Sequence, residues 1–305
     1  MKKQVLQVLL VLQVLLVLVL QVHAAPVLLD ETVPPGANFD KAEFRLWIPD
    51  GATAVKALIV LVPGSNGDGR PQADDPVWQD FAKRNNLAIV ACRFTDKPHD
   101  QGFIEEYVNV SKGSGQALLD VIATFAKKSN HPEIANAPML MWGMSAGGQV
   151  DYEFAAWKPE RVIAYVVNKG GIYYSALVQN ATRQVPALLF TGDKDLAFRV
   201  NTINGLFAVN RRGGALWALV NEPDTAHAVG RSRDLGIMFF EDVMAIRLSG
   251  SALKPMPDKS GFIADLTAHT YQAVADAPAP TVPTAWLPTE RIAKAWQAVV
   301  TGKPF

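Results

Sequence analysis

The chain has little cysteine and no net charge. One cysteine, Cys92, stands among 305 residues, which excludes an internal disulfide and any zinc or iron–sulfur site built on clustered thiolates. Lys+Arg and Asp+Glu number 29 each, so no excess charge points to nucleic acid or to an anionic membrane as a partner. Charged residues are scarce at 19% beside 49% hydrophobic ones, a balance that excludes long disorder. No internal repeat is present, and no linker interrupts residues 40–250. The length suffices for one large domain with a substantial core.

Residues 1–24 stand apart from the rest. Lys2 and Lys3 precede an apolar run from Val5 to Val22, broken by Gln7, Gln13 and Gln21 and followed by His23-Ala24. The pattern predicts an export signal cut after Ala24, hence a secreted or periplasmic protein without stable membrane association. The rival reading is an uncleaved anchor, because a largely apolar run of this length just spans a bilayer. The glutamines and the Ala24-Ala25-Pro26 exit favour cleavage.

From about residue 40, apolar runs alternate with amphipathic stretches. Strands are expected at Glu43–Ile48, Ala57–Val62, Leu87–Phe94, Met139–Trp142, Val162–Val167, Ala187–Thr191 and Ala215–Val220. Ala57–Val62 is apolar throughout, the signature of a strand buried on both faces. Helices are expected between them. Val77, Phe81 and Ala82 define one face, and Leu118, Val121, Ile122 and Phe125 recur at i, i+3, i+4, i+7. Further helices are expected over 149–157, 200–210 and 231–248. This alternation predicts an α/β domain over residues 25–250: a mostly parallel sheet with helices on both faces. Residues 251–284, rich in Pro and Ala, read as irregular. A short helix is expected over 286–300, and the 251–305 extension is expected to pack back on the domain.

The sharpest motif is Gly143-Met144-Ser145-Ala146-Gly147. It lies between an apolar strand and a helix, the strand–turn–helix setting of a nucleophile elbow. A serine hydroxyl needs a base to take its proton, and the base needs a carboxylate to orient it. His227 follows the last strand, on the sheet edge where Ser145 is expected. Leu189-Phe190-Thr191-Gly192-Asp193-Lys194-Asp195 offers two carboxylates at an earlier strand end; Asp195 is favoured and Asp193 is the alternative. The backbone N–H groups of Ala146 and Ser65 are candidates for an oxyanion hole. Ser65 sits in Pro63-Gly64-Ser65-Asn66-Gly67, a loop with neither the Gly-Lys-Ser/Thr of a phosphate-binding loop nor a completed dinucleotide fingerprint.

On the Gly143–Gly148 elbow, the Gly192-Asp193-Lys194-Asp195 turn and the late His227, residues 40–250 resemble the α/β-hydrolase superfamily. They are similar above all to its secreted esterases of the polyhydroxybutyrate depolymerase and feruloyl esterase kinds. The resemblance implies that fold and hydrolysis of small-molecule or polymer esters through an acyl-serine without a cofactor; no metal is expected, and the short stretch between Gly171 and Ala187 argues against a large lid domain inserted there. Two departures are visible. Pro63-Gly64 stands where many relatives have His-Gly, and one cysteine cannot supply the disulfides of the extracellular depolymerases.

Weaker features remain. Tyr173 and Tyr174 follow a strand end and are candidates for pocket walls. The loop Thr95–Lys112, with His99, Phe103 and Tyr107, reads as a surface loop that could frame a cleft. Asp68, Asp74 and Asp75 read as a solvated acidic loop rather than a cation site. Besides an ester hydrolase, a serine peptidase on the same scaffold and a non-catalytic binding protein are the competing functions.

Overall fold

The computed structural model describes residues 25–102, 104–257, 259–276 and 283–305. The expected export segment and Phe103 lie outside the described residues. Eight strands form the central sheet: β1 Val27–Val33, β2 Lys41–Ile48, β3 Ala57–Val62, β4 Leu87–Thr95, β5 Met139–Met144, β6 Val162–Asn168, β7 Ala187–Gly192 and β8 Trp217–Glu222. Their order is β1-β2-β4-β3-β5-β6-β7-β8. β1 and β2 are antiparallel to their neighbours, and the strands from β4 to β8 pair in parallel. Every residue of β3, β6 and β7 is buried, which is why these strands read as continuous apolar runs.

The helices are α1 Pro76–Asn85, α2 Ser114–Lys128, α3 Ala146–Trp157, α4 Asn180–Arg183, α5 Ala197–Arg212, α6 Ser232–Arg247 and α7 Glu290–Val300. They cover both faces of the sheet. α2, α3 and α5 pack on one layer with Leu58, Val60 and Val62, while α1, α6 and α7 pack on the other with Ile59 and Leu61. Alternate residues of β3 thus serve opposite cores, as the period of two requires. Leu118, Val121, Ile122 and Phe125 of α2 are all buried, as their spacing predicts. Among the described residues, no helix is long and apolar enough to cross a membrane.

Four local expectations need correction. β1 was not foreseen, because Asp30, Glu31 and Thr32 interrupt its apolar pattern at the sheet edge. Its register places Asp30 opposite Arg45, and the two form an ion pair at 2.8 Å. On α1, Trp78 joins Phe81 and Ala82 in the core while Val77 is exposed. Asp75 caps the helix through the Val77 N–H, and that start sets which residues face inward. Residues 251–284 are not irregular throughout. β9 Leu248–Ser249 forms a hairpin with β10 Ala252–Leu253, and β11 Phe262–Asp265, β12 Tyr271–Ala273 and β13 Thr284–Leu287 make a second antiparallel sheet. Strands this short cannot display alternation. Trp286 lies in β13, and the last helix begins at Glu290, where the Thr289 hydroxyl accepts the Ile292 N–H. α7 then packs on the sheet, its Trp296 Nε1 donating to the Leu219 carbonyl at 2.7 Å.

One buried group has a measurable consequence. Asp151 on α3 is fully buried, and neither carboxyl oxygen has a hydrogen-bond partner among the described residues. Burial pushes its pKa well above the ordinary value of 3.8, so the native state holds a neutral acid. Above the unfolded pKa the unfolded chain has released this proton and the native state has not, so stability declines with rising pH until the native group ionises too. Asp151→Asn removes the effect. Urea melts should show the variant equal to the parent below pH 4. Its advantage should then grow by about 1.4 kcal/mol per pH unit until the buried acid titrates.

Candidate active site

The carboxyl ends of β3, β5, β6, β7 and β8 lie along one edge of the sheet, and the loops leaving them build a cleft. Its volume is about 590 Å³, and Ser145, His227, Ser65, Gln149, Arg199 and Glu105 are among the residues that line it.

Ser145 sits between β5 and α3 with φ +55° and ψ −121°, strained for a residue with a side chain. Its N–H donates to the Asn168 carbonyl at the end of β6, at 2.7 Å. Two glycines make the turn possible. A Cβ on Gly143 would lie 2.2 Å from the Gly147 backbone, and a Cβ on Gly147 would lie 2.1 Å from the Val62 carbonyl oxygen. The elbow therefore presses on the loop that leaves β3. A Cβ on Gly64 of that loop would lie 3.7 Å from the Ser145 Cβ, an ordinary contact distance. A turn closes it, with Gly67 N–H on the Gly64 carbonyl at 2.9 Å and Asn66 left-handed.

The Ser65 and Ala146 amides, the candidate oxyanion donors, belong to these two facing turns. Ala146 opens α3, so its N–H has no carbonyl four residues earlier in the helix to meet. Two side chains that sequence reasoning missed in this role steady the Ser65 loop. The Tyr107 hydroxyl accepts the Asn66 N–H at 3.2 Å, and Asn66 Oδ1 accepts the Asp96 N–H at 2.7 Å. Tyr107 is buried and stacks on Phe94, so the segment 95–112 is more than a surface loop. It also contributes Glu105 to the cleft wall.

His227 stands in the exposed loop after β8. Its Nδ1 meets Asp195 Oδ2 at 2.8 Å. The alternative acid, Asp193, is turned elsewhere and accepts the Thr225 N–H at 3.2 Å. The Asp195 carboxyl is only 2% exposed. Burial would raise its pKa, but hydrogen bonds from His227 and the Leu196 N–H, with the nearby Arg199 charge, outweigh that and hold it below the usual range. The group is thus ionised at neutral pH. Its second oxygen accepts Arg199 Nη1 at 3.2 Å. Arg199 was not foreseen, although Asp195 and Arg199 stand at the i, i+4 spacing of a helical ion pair.

Tyr173 and Tyr174 require a correction. Neither is among the residues that line the cleft; Gly171 and Ile172 of the same segment do, with Phe198 beside them. Glu153 takes the Tyr174 and Ser175 amides at 2.7 and 2.8 Å. Held this way, the segment turns the Tyr173 ring onto Tyr152 and leaves Tyr174 exposed. The acidic loop is neutralised by arginines and a helix end. Asp68 pairs with Arg70, Asp74 with Arg45, and Asp75 caps α1. Among the described residues, no group of three or more His, Cys, Asp or Glu is placed to hold a metal ion.

No protein-family model matches the chain, and no curated protein matches it. Solved structures do. A ferulic acid esterase superposes with a TM-score of 0.54 at 12% identity, covering 72% of this chain and 98% of that one. The Pyrobaculum calidifontis esterase gives 0.50 at 14% identity, over 77% and 90%. A thermostable esterase gives 0.50 at 15% identity; 65% of this chain aligns, over only 55% of that esterase's length. The chain is therefore similar in fold to these proteins. With the sheet order and the elbow, they establish the α/β-hydrolase fold, and among the described residues no large inserted lid accompanies it.

The elbow contact makes a paired prediction. Gly147→Ala should cost about 3–5 kcal/mol in chemical denaturation, because its Cβ would strike backbone rather than a movable side chain. Gly205→Ala, in the middle of α5 with open space around it, should instead be neutral or stabilise by up to about 1 kcal/mol.

Proposed function

We propose that the protein is an exported serine hydrolase of carboxylic esters, with Ser145 as nucleophile, His227 as base and Asp195 as the acid that orients it. The observation that carries this reading is the coincidence in one cleft of a strained serine at an elbow and a histidine bonded to a buried, ionised aspartate. The solved structures reported above are esterases by name, which agrees with it. The exported location rests on residues 1–24 of the sequence alone.

In this mechanism His227 Nε2 takes the Ser145 hydroxyl proton as Oγ bonds to the ester carbonyl carbon. The negative oxygen that results is held by the Ser65 and Ala146 N–H groups. His227 returns the proton to the leaving alcohol, and an acyl-serine remains. Water, deprotonated by the same imidazole, then releases the carboxylic acid. Asp195 holds the ring and stabilises its cationic form throughout. Small acyl esters and aromatic esters are the first substrates to screen, since Ile172 and Phe198 give the cleft apolar walls.

A fluorophosphonate should add once to the protein by intact mass, and Ser145→Ala should abolish both the adduct and ester turnover. An unmodified, well-folded parent would refute the assignment and favour a binding protein. Asp195→Asn should lower kcat by about 10³-fold or more, whereas Asp193→Asn should stay within a few fold.

A further inference from the structure

Lys169 and Glu222 form an ion pair inside the protein, 0% and 2% exposed. The chemistry above uses neither. Lys169 directly follows β6 in a left-handed conformation, φ +57°, which a lysine adopts at a cost. Two buried charges also lose their hydration, so such a pair is weak support for stability as such. Its position in the fold suggests another use.

The pair lies beneath the loop that carries His227. Glu222 ends β8, and the loop from Pro223 to Arg231 contains no helix or strand. Its residues 226–230 are exposed, so few packing contacts define its shape. Buried polar anchors hold it instead. Glu222 Oε1 accepts the Arg231 N–H at 2.6 Å, which closes the loop onto its own starting residue. Asn168 Nδ2 donates to the carbonyls of Ala228 and Val229, immediately after His227, at 3.3 and 3.2 Å. Lys169 Nζ joins these two anchors, donating to Asn168 Oδ1 at 3.0 Å and to Glu222 Oε2. The same Asn168 accepts the Ser145 N–H through its backbone carbonyl. The pair is also tightly enclosed: a Cβ on Gly192 would lie 3.0 Å from Lys169 Cε, and one on Gly230 would lie 2.4 Å from Glu222 Oε1.

We infer that Lys169 and Glu222 are positioning residues that set the His227 loop against the Ser145 elbow, through Asn168. The inference rests on the triad reading. A catalytic base must be held to about half an ångström, and charge-assisted hydrogen bonds in a dry interior are directional enough to hold it.

The informative variant is the double replacement Lys169→Met with Glu222→Gln. It leaves no unpaired buried charge and keeps an acceptor for the Arg231 N–H, whereas Lys169→Met alone strands a buried carboxylate and can fail to fold. On protein shown folded by urea denaturation, two readouts are taken: kcat and KM on an ester, and the downfield Nδ1 proton resonance of His227, assigned by its loss in His227→Gln. The expected result is a fall in kcat of tenfold or more with KM within twofold, and loss of the resonance. A merely structural pair would lower the melting temperature and leave both readouts in place; that result overturns the inference, as does a change in only one of the two. If the parent protein neither hydrolyses esters nor takes up fluorophosphonate, the triad reading fails separately. The resonance then decides alone: its presence in the parent and loss in the double variant supports positioning, and its retention in the variant or absence from the parent overturns it.

Discussion

The Val62 carbonyl stands where a side chain on Gly147 would have to be, and the site is organised by that contact. Two turns leave neighbouring parallel strands, β3 and β5, and can touch only because one of them has no Cβ at the crossing. Their closeness brings the Ser65 loop to Ser145. The strain at Ser145 follows from the same crowding. A chain that must rise from a buried strand and enter a buried helix within two residues has few conformations available, and the left-handed one taken here lifts the side chain over the sheet edge.

Electrostatics complete what sterics begin. Asp195 is buried, yet it stays ionised because His227, a backbone amide and Arg199 compensate the lost water. Asp151, only six residues beyond Ser145, is buried without such partners and becomes a neutral acid. The two carboxyls share one protein and opposite protonation states, set by what donates to them. The contrast leaves Asp195 as a carboxylate bonded to His227, and Asp151 as a cost to the fold at neutral pH.

Much of this was legible in the residues because parallel strands and elbows carry strong local signals. The fully apolar β3, the mostly apolar β6 and β7 and the glycines flanking Ser145 all lie in contiguous patterns. The choice between Asp195 and Asp193 was harder. They are two residues apart in one turn, and only the direction of each side chain separates them: one reaches His227, the other the Thr225 amide. The cleft walls were less legible still. Tyr173 and Tyr174 look like pocket residues by composition, but Glu153, twenty residues earlier, sets the path of their backbone. Arg199 and Glu105 enter the cleft from elements that carry no motif. β1 and the strands after residue 250 are short or polar, and tertiary contacts rather than periodicity create them.

The C-terminal segment bears on the site itself. Arg231, where the His227 loop meets α6, bonds the Lys303 carbonyl, and its guanidinium lies 4.3 Å from the Phe305 ring centroid. Inside the same loop, Glu222 takes the Arg231 amide. One residue is thus gripped by its backbone from the sheet and by its side chain from the C-terminal segment. α7 anchors that segment by burying Trp296 on β8, the strand that ends in Glu222. The extension and the buried ion pair therefore both hold Arg231, at one end of the loop. An exposed loop without regular structure can present a histidine in fixed geometry when its end is held in this way, and the residues after 250 are then part of what shapes the edge of the cleft.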